Sequence, residues 1–460
     1  MENAANRAVE QFEKELKELA RTIWENPEVA FEEKHACQKT AEMLERHGFQ
    51  VETGYAGVPT AVRGVWGEGH PVIGFVGEYD ALPGLSQKAV PWKEPEKEGG
   101  PGHGCGHNLL STTCLGGALG MKAILEERKL PGTVVFYGCP AEEVLTGKVF
   151  MARNGAFREL DVALGWHGGP VTKIPTGTMT ANTSVLFKFK GVSAHAAAFP
   201  EQGRSALDAV ELMDIGANYL REHVPGDVRL HYTIQDGGGA PNVVPERASV
   251  LYYVRALSRS NVDDAFKRLV QCAKGAAMMT DTEVEVEVTG GCYNTLSNMV
   301  LAEVFQEVMN ELPLPEWTEE ELAFARKLNE ASPQYEALNA AGQLEPPIYS
   351  QIGQKVKQDI YGSSDFGDLA HIVPAISVFT VTCNRAAPAH SWQVAACAGS
   401  SIGEKGMIYG SKLLANVAGK LLEDPSLIEQ AWKEFRERTG GKEYTCPIPE
   451  CVPVPKTEGK

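Results

Sequence analysis

Gly102-His103-Gly104-Cys105-Gly106-His107-Asn108 is the stretch around which the chain is organised. Cys105 and His107 stand two residues apart among three glycines, whose missing side chains and permissive backbone let a loop fold closely around an ion. A thiolate and an imidazole together favour zinc or a similar transition metal over calcium or magnesium. Asn108 reads as a helix N-cap, with the apolar run Leu109–Ile124 behind it. Two ligands do not close a coordination shell. Alone, the pair is also what a buried cysteine beside a structural histidine would give.

Working outward, three apolar runs end in polar or ligand-type residues. Pro71–Val76 leads to Glu78-Tyr79-Asp80. Thr133–Gly138 leads to Cys139-Pro140-Ala141-Glu142-Glu143, and Asp161–Trp166 is followed by His167. Buried strands delivering functional groups at their carboxyl ends predict an open α/β sheet. Upstream, Val9, Phe12, Leu16, Leu19 and Ile23 make one helical stripe, and a second helix runs from about Glu32 to Gly48. The Pro/Gly-rich stretch between Leu82 and Pro101 predicts a loop bordering the site. From about Ala181 the order becomes β-α-β-β-α-β, a ferredoxin-like insert.

The expected organisation is a catalytic domain in two parts, 1–180 and 294–440, around a lid or dimerisation domain at 181–293. Residues 311–357 read as an insertion over the first domain, with a short helix in Glu319–Asn329. Asn384–His390 forms a loop before a long helix from about Gln393, and residues 441–460 read as an extended or disordered tail.

The 460 residues allow more than one domain, and the formal net charge of −17 argues against binding nucleic acid or an anionic membrane surface. No run of about 18 apolar residues occurs, and the first twenty residues are amphipathic and acidic, so the expected location is cytoplasmic. The ten cysteines lack a small-scaffold spacing, and most are expected to be free thiols; only Cys105 has ligand-like company.

The candidate ligands are thus Cys105, His107, Glu143 and His167, with His390 as a fifth, Glu142 beside them and Asp80 behind. Such a set can hold one or two divalent ions, and it offers what a hydrolase needs: an acidified water and a carboxylate to take its proton. Successive side chains in an extended segment point apart, so Glu143 can bind metal while Glu142 faces the water. In isolation Glu-Glu is usually a solvated surface pair; here it follows an apolar strand and Cys-Pro.

These residues resemble the M20 metallopeptidases, in the amidohydrolase branch whose first ligand pair is Cys-x-His. The resemblance rests on Glu78–Gly84, Gly104–Asn108, Glu142-Glu143, Trp166-His167, Gly191–Ala196, Gly239–Pro245 and Ala389–Gln393. It implies a zinc-aminopeptidase-like catalytic domain, a mixed sheet with flanking helices, carrying an inserted ferredoxin-like α+β lid. Cys105, His107, Glu143, His167 and His390 match the ligands of a site for two divalent ions, zinc or manganese, and Glu142 matches the general base. Asp80 matches the acid of a His-x-Asp segment whose ligand histidine is Glu78 here, which leaves Asp80 to orient His107. His195 and Asn242 match residues of the insert domain, which in this family also serves for dimerisation and whose histidine can reach the partner's active site to polarise the scissile carbonyl, with Asn242 nearby. Ser364 and Asp365 lie in a polar segment expected to line the substrate.

The implied reaction is hydrolysis of an N-acyl amino acid, with p-aminobenzoyl-glutamate first among candidate substrates. An indole-acetyl-aspartate or β-alanyl-dipeptide hydrolase is the alternative, and a non-catalytic subunit on the same fold a further one. A homodimer is expected, with a companion subunit as a second possibility. Arg204, Arg255, Arg259 and Arg385 are candidates for a substrate carboxylate, and the residues alone do not choose among them.

Overall fold

The computed structural model describes residues 3–456. Among the described residues twelve strands form two sheets. β1 (Gln50–Thr53), β2 (Val62–Glu68), β3 (Val72–Glu78), β4 (Gly132–Cys139), β5 (Val162–Gly169), β6 (Lys173–Pro175), β11 (Gln354–Val356) and β12 (Ala375–Val381) make the larger one. Its order is β1-β2-β4-β3-β5-β12-β6-β11. The centre, β4-β3-β5-β12, is parallel, while β1, β2 and the β6–β12 contact run antiparallel. The parallel strands read as near-continuous apolar runs because helices cover both faces. All three ends singled out in the sequence belong to this block, at Glu78, Cys139 and His167. His167 lies inside β5, which continues to Gly169 in register with β12, instead of following the strand.

The central helix, His107–Arg128, is buried along most of its length against Ser401–Glu423 and Ala4–Gln11. A Cβ at Gly116 would lie 2.4 Å from Ser411 Oγ, and one at Gly120 2.5 Å from Ala415 Cβ, so glycine sets the approach of these helices. The helix starts earlier than expected. Its N-cap is Gly106, at φ +81°, and Asn108 is no cap: its buried amide donates to the carbonyls of Ala20 and Ala398. The N-terminal stripe is two helices, Ala4–Gln11 and Glu13–Glu25, meeting at Phe12. The C-terminal helix is likewise broken, into Trp392–Ala398 and Ser401–Glu423.

The second sheet comprises β7 (Ala181–Lys190), β8 (Arg229–Asp236), β9 (Arg247–Ala256) and β10 (Glu283–Cys292), in the order β10-β7-β9-β8, with the paired strands antiparallel. Helices Ala206–Leu220 and Arg259–Thr280 cover one face and close a separate apolar core around Phe187, Val250 and Leu269. This is the ferredoxin-like β-α-β-β-α-β unit.

The tail is packed, contrary to a disordered reading. Ile448 is buried, the Tyr444 hydroxyl donates to Asp368 Oδ1 at 2.7 Å, and Arg153 donates to the carbonyls of Pro449 and Val452. These side-chain contacts hold it against the domain without a strand forming; residues 457–460 lie outside the described residues. Among the described residues no helix is long and apolar enough to cross a membrane.

Candidate metal centre

Loop geometry brings the ligand-type residues together. A Cβ at Gly102 would meet Leu85 O at 2.0 Å and one at Gly104 would meet Leu85 Cδ1 at 2.4 Å, so only glycine allows this loop to pack under Leu85. The turn then delivers Cys105 and His107 from the helix start. Ala141 and His390 both adopt left-handed backbone, at φ +57° and +52°, beside the acidic pair and in the loop before Trp392.

Cys105, His107 and His167 offer donor atoms within 4.8 Å of one another, and so do Cys105, Glu143 and His390. Cys105 Sγ lies 3.4 Å from His167 Nε2, and His390 Nε2 lies 3.4 Å from Glu143 Oε2. A third group joins Glu78, His107 and Glu142, with His107 Nε2 3.5 Å from Glu78 Oε2 and 3.9 Å from Glu142 Oε2.

Hydrogen bonds orient the buried His107 and the half-buried His167 in the same way. His107 Nδ1–H donates to Asp80 Oδ1 at 3.0 Å, and His167 Nδ1–H donates to the Gly168 carbonyl at 2.6 Å. Each ring therefore turns an Nε2 lone pair towards the cluster. His107 Nε2 and Glu143 Oε1 are buried and accept or donate no hydrogen bond, as expected of atoms that serve a cation. Asp80 does two tasks, since its Oδ2 also accepts the Glu143 N–H at 2.9 Å.

The electrostatics fit a cation as well. Burial pushes the Cys105 thiol up to about 12 and Glu143 up to about 7. Burial, with the charges of Glu78 and Asp365, holds Glu142 well above the ordinary carboxylate range. Burial would raise Asp80 too, but the His107 hydrogen bond and charge outweigh it and keep this carboxyl low. A divalent ion reverses the raised values by favouring thiolate and carboxylate.

Three features escaped the sequence reading. Lys148 is fully buried, with Nζ 2.6 Å from Glu78 Oε1 and 2.5 Å from Asp365 Oδ1. A lone lysine in an apolar helix gave no signal for this, beyond its place five residues after Glu143. Asn329, inside the 311–357 insertion, accepts from Asn384 Nδ2 and Ala386 N, both at 2.9 Å, and so holds the loop that carries His390. Glu33 accepts the N–H of Ala141 at 2.9 Å and the Thr60 hydroxyl at 2.8 Å, fixing the chain just before Glu142.

The cluster opens into a cavity of about 560 Å³, lined by Cys105, Glu142, Glu143, His167, His390 and Ser364 among others. Asp365 does not line it; the carboxylate is buried beneath, held by Lys148. His195 and Asn242 are also outside it, on the surface of the insert and joined through the Ala196 N–H to Asn242 O bond. Of the four candidate arginines only Arg255 lines the cavity. Arg204 pairs with Asp281, Arg259 with Asp263, and Arg385 lies over Tyr349.

The sequence profile of peptidase family M20/M25/M40 matches residues 74–417, a span that holds the whole cluster. The chain belongs to this family. It is therefore a hydrolytic enzyme. It is similar to one of the subunits of the p-aminobenzoyl-glutamate hydrolase of Escherichia coli strain K12, with 36% identity over 97% of both chains. It is also 30% identical to the Xaa-Arg dipeptidase of Mus musculus, over 94% of this chain and 91% of that one. In fold it is similar to a Bacillus subtilis protein described as a dinuclear metal-binding peptidase of family M20. That match has a TM-score of 0.59 and 20% identity, over 90% of this chain and 99% of the other.

Proposed function

We propose that this M20 enzyme hydrolyses the amide of an N-acyl amino acid, with p-aminobenzoyl-glutamate as the foremost substrate, giving p-aminobenzoate and glutamate. The observation that carries the reading is the pair of unpartnered buried ligand atoms, His107 Nε2 and Glu143 Oε1, at a cluster whose Glu142 and Glu143 line one cavity. Similarity along almost the full length of the E. coli hydrolase chain supports the substrate.

Cys105, His107, Glu143, His167 and His390 would hold two divalent ions, zinc or manganese. Lys148 pairs with Glu78 and Asp365 beside this cluster. Ions so held supply Lewis-acid polarisation of the scissile carbonyl and a lowered pKa for the attacking water.

The chain's own groups do the rest. Glu142 takes the proton of the attacking water and returns it to the leaving nitrogen, as one carboxylate can serve as base and then acid. Arg255, on β9, holds the substrate's α-carboxylate. His195 Nδ1 accepts the N–H groups of Ala197 and Ala198 at 3.3 and 3.1 Å, so its Nε2–H points away as a donor for a developing oxyanion. Because His195 and Asn242 sit outside their own chain's cavity, they act on the site of a second copy. The exposed edge strand β8, with Tyr232 and Ile234, suits pairing between the inserts.

The test is release of glutamate from p-aminobenzoyl-glutamate by zinc- or manganese-loaded protein, alongside indole-acetyl-aspartate and a β-alanyl dipeptide. Turnover of p-aminobenzoyl-glutamate above the others is expected; hydrolysis of the dipeptide alone would contradict the substrate assignment.

A further inference from the structure

The cavity contains two cations without an acidic partner. Arg255 donates to Ser363 Oγ at 3.2 Å and lies over the Tyr253 ring. Lys173, on β6, has its ammonium nitrogen 5.0 Å from the centre of the Phe379 ring. Among the described residues neither forms an ion pair. Phe379 is opposite Lys173 in the β6–β12 contact, and its ring also meets the His167 ring at 5.1 Å. Lys173 is thus fixed one ring away from a metal-ligand candidate, on a wall of the same cavity.

In a chain with 60 acidic and 43 basic residues, a half-buried lysine that finds no carboxylate calls for an explanation. Burial alone acts on its titration, and lowers it, so no protein charge compensates the cost of holding this ammonium group from water. An anionic ligand would supply the compensation. The acids that share the cavity, Glu78, Glu142 and Glu143, belong to the cluster and are committed to its cations.

We propose that Lys173 is a specificity residue that receives a second substrate carboxylate, the side-chain carboxylate of an acidic amino acid. The inference rests on the amidohydrolase reading above and narrows it. With Arg255 on the α-carboxylate, the cavity takes N-acyl derivatives of glutamate or aspartate, and it disfavours basic residues, since an arginine side chain would meet Lys173 charge against charge. The chain is therefore set apart from the specificity named for its mouse relative, the Xaa-Arg dipeptidase.

Binding decides the inference and turnover decides the reading it rests on. Calorimetry on metal-loaded Glu142→Gln protein compares p-aminobenzoyl-glutamate with p-aminobenzoyl-glutamine, in which a neutral carboxamide of nearly the same shape replaces the side-chain carboxylate. The glutamate compound should bind about tenfold or more tightly, the scale of a hydrogen bond to a charged group. Lys173→Met should abolish the difference while leaving glutamine-compound affinity unchanged, and Lys173→Arg should restore most of it. In otherwise wild-type enzyme Lys173→Met should raise KM for the glutamate substrate and leave kcat nearly untouched, a split that general misfolding would not give. Equal affinity for the two compounds, binding of neither, or an equal loss of both in Lys173→Met overturns the inference. Selective binding with no hydrolysis by the wild type leaves it standing and sinks the amidohydrolase reading instead.

Discussion

Asp80 shows how much one carboxylate can organise: one oxygen holds His107 Nδ1–H and the other the Glu143 N–H, so two proposed ligands from different parts of the chain share a brace. Asp80→Asn keeps the shape but places an amide N–H against one of those donors. Metal affinity should fall by about 10- to 100-fold, the usual effect of losing a group that orients a ligand. Competition with a coloured chelator measures it, with circular dichroism as the folding control; an unchanged affinity would remove Asp80 from the account. At this scale the sequence was most legible where glycine forced a reading, at Cys105 and His107. It was least legible at Lys148, Lys173 and Asn329, because each meets its partners from far along the chain and resembles an ordinary surface residue in one dimension. Asp365 misled for the same reason, since a polar segment gives no sign of which carboxylate turns inward to a lysine.

At the scale of elements, the insert carries its own pH dependence. Asp214, in helix Ala206–Leu220, accepts from the Tyr252 hydroxyl of β9. Burial raises the Asp214 carboxyl to about 6, and the tyrosine hydrogen bond offsets this only in part. A folded-state value above the ordinary one means that the folded chain holds the proton more tightly. The contribution is complete below about pH 4 and is lost as pH rises through about 6. Asp214→Asn stays neutral throughout, so its Tm relative to wild type should climb between pH 4 and pH 7 in differential scanning fluorimetry; parallel profiles would contradict the assignment. The strands and helices of this unit, and the parallel block of the larger sheet, follow from periodicity that the sequence carries openly. Boundaries were less legible where tertiary contacts decide them: the Phe12 break, the continuation of β5 through His167, and the packing of Tyr444 and Ile448.

For the whole molecule, His195 lies outside the cavity, and the proposed site shared between two copies would account for that separation. Complementation tests this directly. Glu142→Ala and His195→Ala proteins, each inactive alone, should recover activity when unfolded and refolded together. Random pairing makes about half the two-fold dimers mixed, each with one intact site, so recovery should approach roughly a quarter of wild type. No recovery, with mixed dimers confirmed by native mass spectrometry, would mean that His195 serves its own chain or no site at all.

The central claim is that Glu142 moves the proton at a metal centre built by Cys105, His107, Glu143, His167 and His390. Its most direct test is to measure bound metal per chain and kcat for Glu142→Gln beside wild type, on whichever N-acyl amino acid the wild type turns over fastest. Both proteins should hold two ions per chain, and kcat should be lower by about 10² to 10⁴ in the variant, the range for losing a general base. Metal lost together with activity would make Glu142 a ligand, and a kcat within tenfold of wild type would place the base elsewhere.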